Sequence, residues 1–126
     1  MNIPRNLNYT KDHEWIKVEG NIGIIGITDF AQGELGDVVY VDINPEITEI
    51  TISQSFGTIE AVKTVSDLYA PVSGKILELN KRLNDEPQLV NTDPYGEGWL
   101  IKIEITDNTQ LKELLDAASY STQLGQ

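Results

Sequence analysis

The sequence predicts a mainly β fold, a small sandwich or flattened barrel of antiparallel sheets with a short helix after the second strand and a C-terminal amphipathic helix. Short runs of β-branched residues recur at close intervals and are separated by Gly, Asn, Asp and Pro, which is typical of such folds. The chain has 126 residues and no linker, low-complexity tract or change of composition. A single domain over residues 1–126 is therefore predicted.

The first hairpin carries the clearest strand signal. Side chains from Glu14 to Val18 alternate between two faces, Gly20-Asn21 supplies residues suited to a tight turn, and Ile22 to Ile27 forms the return strand. Further strands are predicted over Val38 to Ile43, Ser55 to Val62, Leu68 to Tyr69, Gly74 to Leu79 and Trp99 to Ile105.

Two segments have helical signals. Between the second and third strands, Thr28 is placed as an N-cap and Gly36 near the helix end, which predicts one or two helical turns. Near the C-terminus, Asp107 is placed as an N-cap with Gln110 three residues later. Apolar residues then follow at intervals of three and four, at Leu111, Leu114, Leu115 and Ala118, so one amphipathic helix is expected here.

Charge and composition exclude several classes of function. Nine Lys or Arg against twenty Asp or Glu give a formal charge of −11, which argues against nucleic acid or an anionic membrane as a partner. No basic residue lies between Lys17 and Lys63, so this stretch presents only acidic charge. That stretch forms either a solvated face or a docking surface. With no Cys, the chain has no thiol chemistry of its own.

The start of the chain lacks the apolar core of a signal peptide, and no apolar run is long enough to cross a bilayer. We therefore expect no membrane association. The expected location is the cytoplasm, or a mitochondrion if a presequence has been removed.

No motif for independent catalysis is present. One His and no Cys leave only oxygen ligands for a metal, and no EF-hand-like spacing occurs. The glycines of GNIGIIG, from Gly20 to Gly26, do not have the spacing of a nucleotide-binding loop. His13 is the only imidazole, has no nucleophile motif beside it and is interpreted as a surface or structural residue. We expect the chain not to be an enzyme.

The segment GTIEAVKTVSDLYAPVSG, residues 57 to 74, has a strand–turn–strand pattern with Lys63 at the tip. A short rigid hairpin fixes the position of a lysine while its four-carbon stem supplies reach, which suits covalent attachment of a group. The pattern alone also fits a lysine that is merely solvated.

This segment resembles the lipoyl-attachment motif of the glycine cleavage H-protein family. Family-like stretches cover nearly the whole chain and run from Tyr9 to Asp42, Phe56 to Asn80, Asn91 to Ile103 and Leu114 to Tyr120. The resemblance implies the barrel-sandwich hybrid fold of lipoyl domains, with a lipoyl hairpin near residues 57–74. Biotin carriers of similar fold favour Met on both sides of the modified lysine, whereas Val62 and Thr64 flank Lys63 here.

The resemblance also implies roles for five residues. Lys63 would carry lipoic acid in amide linkage. Glu60 and Gly74 match positions at which lipoylating enzymes recognise the hairpin, although Gly74 is also interpreted as a structural glycine. Glu14 and Asp67 match carboxylates that contact the loaded arm when it folds back along the protein.

The implied function is that of a non-catalytic carrier, expected to be a monomer. Its partners would be a PLP-dependent glycine decarboxylase, a tetrahydrofolate-dependent aminomethyltransferase, dihydrolipoamide dehydrogenase and a lipoylating enzyme. Two alternatives stay open at this point. One is a relay that supplies lipoyl groups to 2-oxoacid dehydrogenases, and the other is an unmodified acidic binding module.

Added salt is expected to weaken docking to the partner enzymes, because the acidic stretch between Lys17 and Lys63 would attract basic surfaces. Titration of the aminomethyltransferase at low and high ionic strength measures the effect. A dissociation constant that does not change with salt would argue against a docking role for this acidic stretch.

Overall fold

The computed structural model describes residues 2–125, in which two antiparallel sheets enclose a shared apolar core. The predicted mainly β fold is confirmed. The strands are β1 (Asn8–Tyr9), β2 (Glu14–Glu19), β3 (Ile22–Ile27), β4 (Val38–Asp42), β5 (Glu49–Ile50), β6 (Ser55–Ala61), β7 (Val65–Tyr69), β8 (Gly74–Leu79) and β9 (Ile101–Ile105). The larger sheet has six strands in the order β1-β2-β3-β9-β8-β5, and the smaller has three in the order β4-β6-β7.

The helices are short and lie between or after the strands. The α-helices are α1 (Asp29–Leu35), α2 (Leu89–Thr92) and α3 (Ala117–Gln123), and 3-10 helices span Lys81–Asn84 and Asn108–Glu113. None of the helices within residues 2–125 is long and apolar enough to cross a membrane.

The core has two parts, and β2 contributes to both. Ile16 is fully buried between the sheets together with Ile25 and Ile59. Trp15, on the opposite face of the same strand, packs in a smaller cluster with Tyr9 and Tyr120. Successive side chains of a strand point to opposite faces, so β2 is covered on both sides. Residues from both ends of the chain therefore close over the outer face of the larger sheet.

Helix α1 begins and ends as predicted. The Thr28 hydroxyl accepts a hydrogen bond from the backbone N–H of Ala31 at 3.2 Å, which makes Thr28 the N-cap. The helix ends at Gly36, whose φ of +76° lies in a region that favours glycine. Its backbone N–H bonds the carbonyl of Gln32 at 3.1 Å.

The prediction of one amphipathic helix starting at Asp107 is wrong. Asp107 caps the 3-10 helix Asn108–Glu113, after which the chain becomes extended. Leu115 then pairs with Tyr9 through two backbone hydrogen bonds of 2.8 Å each. This pairing with a strand far away in the sequence ends the helical stretch, because a backbone that bonds a strand cannot also continue a helix.

The C-terminal helix α3 starts later, with Asp116 as its N-cap. The Asp116 carboxylate accepts a hydrogen bond from the backbone N–H of Ser119 at 2.7 Å. Gln110, expected to support a cap at Asp107, instead accepts a hydrogen bond from the backbone N–H of Ser73 at 2.6 Å. The C-terminal segment is therefore attached to the body at two separate places.

Two glycines, Gly26 buried in β3 and Gly33 exposed on α1, should respond in opposite ways to substitution by alanine. A Cβ at Gly26 would lie 2.6 Å from the ring of Trp15, which a hydrogen bond to the Pro94 carbonyl holds in place. A Cβ at Gly33, inside α1, would meet nothing within 4 Å. Gly26→Ala is expected to lower the free energy of unfolding by about 1–3 kcal/mol, and Gly33→Ala to raise it by about 0.5–1 kcal/mol. Urea unfolding of both variants measures this, and a change of the same sign in both would contradict it.

Candidate functional site: a lysine hairpin beside a cleft

Lys63 lies at the exposed tip of the hairpin formed by β6 and β7. The backbone of the tip is fixed by two hydrogen bonds, from the Ala61 N–H to the Thr64 carbonyl at 2.8 Å and from the Val62 N–H to the Asp37 carbonyl at 3.0 Å. Within residues 2–125 the Lys63 amine makes neither a hydrogen bond nor an ion pair. The amine is therefore free to react while the backbone that carries it is held.

The stem of Lys63 lies across Gly36, at the end of α1. A Cβ at Gly36 would be 3.1 Å from Lys63 Cε and 3.4 Å from Cδ. Glycine is thus needed at position 36 for its positive φ, and it also leaves room for the lysine stem. The contact places the start of the lysine arm against the helix that borders the neighbouring cleft.

A cleft of about 130 Å³ lies between the hairpin, α1 and the residues at the start of β2. Its apolar surface comes from six side chains, namely Ile27, Phe30, Ala31, Leu35, Ile59 and Leu68. Its polar surface includes Glu14 and Asp67, the two carboxylates that the resemblance assigned to the loaded arm. The structure brings both of them into one cleft beside the hairpin.

Glu14 is a buried carboxyl group, with only 2% of its surface exposed. One oxygen accepts a hydrogen bond from the Thr10 hydroxyl at 2.7 Å, and the other accepts one from the backbone N–H of Tyr69 at 3.2 Å. Burial raises the pKa of Glu14 to about 7, because the low-dielectric surroundings disfavour its charged form more than these hydrogen bonds favour it.

Asp67 contrasts with Glu14 because it is exposed. It lies on β7 opposite Thr58, and one carboxylate oxygen accepts a hydrogen bond from the Ser55 hydroxyl at 3.4 Å. The cleft therefore has one buried carboxyl, Glu14, and exposed carboxylates around it, since Asp12 and Glu34 also line it.

Glu60 and Gly74 do not line this cleft. Glu60 is exposed on β6, in register with Tyr40 on one side and Val65 on the other. Gly74 begins β8 in the larger sheet, where a Cβ would lie 2.7 Å from the carbonyl oxygen of Glu104. Close strand packing thus requires a glycine at position 74, and the hairpin itself ends at Tyr69.

His13 is a cleft residue for which the sequence indicates no role in binding, and Tyr120 contacts it. His13 lines the cleft, and its Nδ1 lies 2.8 Å from the Tyr120 hydroxyl. Burial lowers the pKa of His13, although Asp12 and Glu34 act in the opposite direction. Tyr120 comes from the far end of the chain and contacts His13 without itself lining the cleft, and no local pattern in the sequence indicates this contact.

Within residues 2–125, no group of three or more His, Asp or Glu side chains is arranged to hold a metal ion. The chemistry available here is therefore that of one accessible amine, a partly apolar cleft and the carboxyl groups beside it.

Comparison with known proteins identifies the family to which the chain belongs. The family model described as Glycine cleavage H-protein matches residues 7–126. The chain belongs to the glycine cleavage H-protein family. The matched range includes Lys63, the whole hairpin and every residue of the cleft.

Individual H proteins resemble the chain along almost its full length. A glycine cleavage system H protein of Symbiobacterium thermophilum is 57% identical over 120 residues, which cover 94% of this chain and 93% of the relative. One from Staphylococcus saprophyticus is 52% identical over 126 residues and covers both chains completely. A crystal structure of an H protein from Mycobacterium marinum has a TM-score of 0.89 at 42% identity, covering 98% of this chain and 100% of that one.

The burial of Glu14 makes stability depend on pH in this H-protein fold. The pKa of Glu14 is higher in the folded chain, about 7, than its ordinary value of 4.5, so the folded state binds the proton more tightly. The free energy of unfolding therefore falls as pH rises from about 4.5 to about 7, by a contribution on the order of 3 kcal/mol.

Glu14→Gln is expected to remove this contribution. Relative to the unsubstituted protein, the variant should gain stability between pH 5 and pH 8, because glutamine does not ionise. Urea unfolding across this pH range measures the difference between the two proteins. A difference that stays constant with pH would contradict the raised pKa of Glu14.

Proposed function

We propose that Lys63 carries a lipoyl group in amide linkage and that the chain is the carrier subunit of the glycine cleavage system. Membership of the H-protein family supports this role. The main structural support for Lys63 as the attachment site is that its accessible amine lies at a rigid hairpin tip, next to a cleft. The family and its relatives are named for glycine cleavage, which favours this role over a lipoyl relay.

When bound, the lipoyl group would supply a disulfide whose S–S bond breaks as one sulfur takes the aminomethyl group of glycine and the other becomes a thiol. Lys63 provides the tether, and the hairpin backbone keeps the tether at a constant place on the surface. Tethering raises the local concentration of the reactive sulfur at each partner's active site. Because the chain contains no Cys, no thiol of its own competes with the dithiol for disulfide formation.

The cleft is suited to hold the loaded end of the arm. Its apolar side chains match the hydrocarbon part of the arm, and Glu14 offers a carboxylate to a positively charged amine. Asp67, Asp12 and Glu34 add further carboxylates around it. Enclosing the amine here would exclude water and slow hydrolysis of the adduct.

Glu60 and Gly74 are proposed to contribute to lipoylation in different ways. Glu60 is exposed on the strand that leads to Lys63, so a lipoylating enzyme can contact its carboxylate directly. Gly74 is buried by close strand packing, so its contribution would be to the shape of the sheet that supports the hairpin.

The proposed partners are the PLP-dependent glycine decarboxylase, the tetrahydrofolate-dependent aminomethyltransferase, dihydrolipoamide dehydrogenase and the lipoylating enzyme. Exposed apolar side chains surround the hairpin tip, with Val62 at 73% and Val65 at 61% exposure, and Tyr40 lies beside Glu60. Such a mixture of apolar and acidic surface suits transient docking to basic partner surfaces. The proposed location is the cytoplasm.

Intact mass spectrometry tests the attachment site. Protein produced in lipoate-competent cells is expected to gain the mass of one lipoyl group, and Lys63→Arg to gain none, because a guanidinium cannot form the amide. Lys75→Arg is the matched control, since Lys75 is also exposed but lies on β8, and this variant should be modified normally. An unmodified mass for the unsubstituted protein, or a modified mass for Lys63→Arg, would overturn the assignment of Lys63.

Reconstitution tests the role of the carrier. The fully lipoylated protein, mixed with the partner enzymes, should support release of carbon dioxide from glycine, and Lys63→Arg should not. Absence of glycine decarboxylation despite complete lipoylation would count against glycine cleavage as the function.

A further inference from the structure

His13 has an unusual backbone conformation at the edge of the cleft. Its φ is +68°, and the only other residue within 2–125 that has a positive φ without being glycine is Ser53. His13 directly precedes β2, and both it and Glu14, the first residue of that strand, line the cleft. The left-handed backbone makes His13 a strained position at the edge of the site.

A chain of hydrogen bonds ends at the His13 ring. The Tyr120 hydroxyl lies 2.7 Å from Thr28 Oγ1 and 2.8 Å from His13 Nδ1. Thr28 is fully buried, and its hydroxyl oxygen already accepts the N–H of Ala31. Within residues 2–125, the only available acceptor for the Thr28 hydroxyl hydrogen is the oxygen of Tyr120.

These contacts determine which group donates and which accepts in each hydrogen bond of the series. A buried hydroxyl hydrogen without an acceptor is costly, so Thr28 donates to Tyr120. The single hydroxyl hydrogen of Tyr120 is then left for His13, whose Nδ1 must accept it. In a neutral imidazole the other nitrogen carries the hydrogen, so His13 has an Nε2–H donor.

This donor is unused within the described part of the chain. No residue from 2 to 125 accepts a hydrogen bond from Nε2, and the same residues contain no buried side-chain polar atom without a partner. The Nε2–H is therefore accessible, on a side chain that lines the cleft.

The ring of His13 is also held by packing. It contacts Phe30 at a centroid distance of 4.7 Å and the edge of Tyr120 at 5.7 Å. Tyr120 in turn stacks on Tyr9 at 4.6 Å. A ring fixed on two sides presents its donor in one direction, which lowers the entropic cost of binding.

We propose that His13 is a binding residue of the cleft that donates a hydrogen bond from Nε2 to an acceptor atom of the loaded arm, and that Tyr120 and Thr28 are its positioning residues. This inference rests on the proposed carrier function. The cleft then offers both an acceptor, Glu14, and a donor, His13, on consecutive residues. Tyr120 connects the C-terminal helix to the site.

The tautomer of His13 can be measured without any lipoyl group. Nitrogen-15 NMR of the unmodified protein is expected to detect the hydrogen on Nε2 at neutral pH. Tyr120→Phe should give a mixture of both tautomers, since it keeps the ring but loses the hydroxyl. Tyr95→Phe is the matched control, because the Tyr95 hydroxyl bonds the backbone of Asn2 and Asp29 and should leave His13 unchanged. A hydrogen on Nδ1 in the unsubstituted protein would overturn the proposal.

Two substitutions of His13 distinguish the effect of its Nε2–H donor from the effect of the contact between Nδ1 and the Tyr120 hydroxyl. An asparagine amide reaches the place of Nδ1, so His13→Asn keeps a partner for Tyr120 and tolerates the left-handed backbone. A glutamine amide reaches the place of Nε2, so His13→Gln restores a donor in the cleft. The readout is the lifetime of the aminomethyl adduct, followed by intact mass after loading of the lipoylated protein by glycine decarboxylase.

His13→Asn is expected to shorten this lifetime by about two- to tenfold, the effect of losing one hydrogen bond, and His13→Gln to restore most of it. Thermal unfolding of both variants sets an assay temperature at which each is folded. Equal lifetimes for the two variants would overturn the role of His13 while leaving the carrier function intact. Failure of the unsubstituted lipoylated protein to form the adduct would instead overturn the carrier function, and with it this inference.

Discussion

One buried carboxyl group joins the two sheets where the lysine hairpin meets the body of the protein. Glu14 belongs to β2 of the larger sheet, and it accepts the backbone N–H of Tyr69, from β7 of the smaller sheet. The Thr10 hydroxyl holds the other oxygen. Because a backbone N–H is an obligatory donor, this bond fixes the distance between β2 and the base of the hairpin, and thereby the width of the cleft.

The features that could be predicted from the sequence depend on residues close together along the chain. The hairpin of β2 and β3 follows from alternation around Gly20, and helix α1 follows from a capping threonine and a terminal glycine. The position of Lys63 at a hairpin tip could also be predicted, since a strand–turn–strand pattern involves only residues close together along the chain. In each case the backbone conformation is determined by side chains within a few residues.

The features that could not be predicted depend on contacts between distant residues. Leu115 has helical spacing with its neighbours, but its backbone bonds Tyr9, more than a hundred residues earlier, and this ends the predicted helix. The bond between His13 and Tyr120 likewise joins the two ends of the chain. A single sequence carries no pattern that pairs such residues, so the sequence alone indicates only a surface or structural role for His13. The cleft as a whole could not be predicted from the sequence either, because three separate segments of the chain line it.

In the proposed carrier, the cost of burying Glu14 would make the cleft selective for a cation. Above its raised pKa the carboxylate is ionised in surroundings that disfavour charge, and the folded protein loses stability. A cation that enters the cleft pairs with this carboxylate and relieves that cost, whereas a neutral group does not. If Glu14 receives the loaded arm as proposed, an arm that ends in an amine would be held more strongly than an empty arm. The proposed carrier would then retain its cargo in transit and leave the unloaded dithiol exposed for its next reaction.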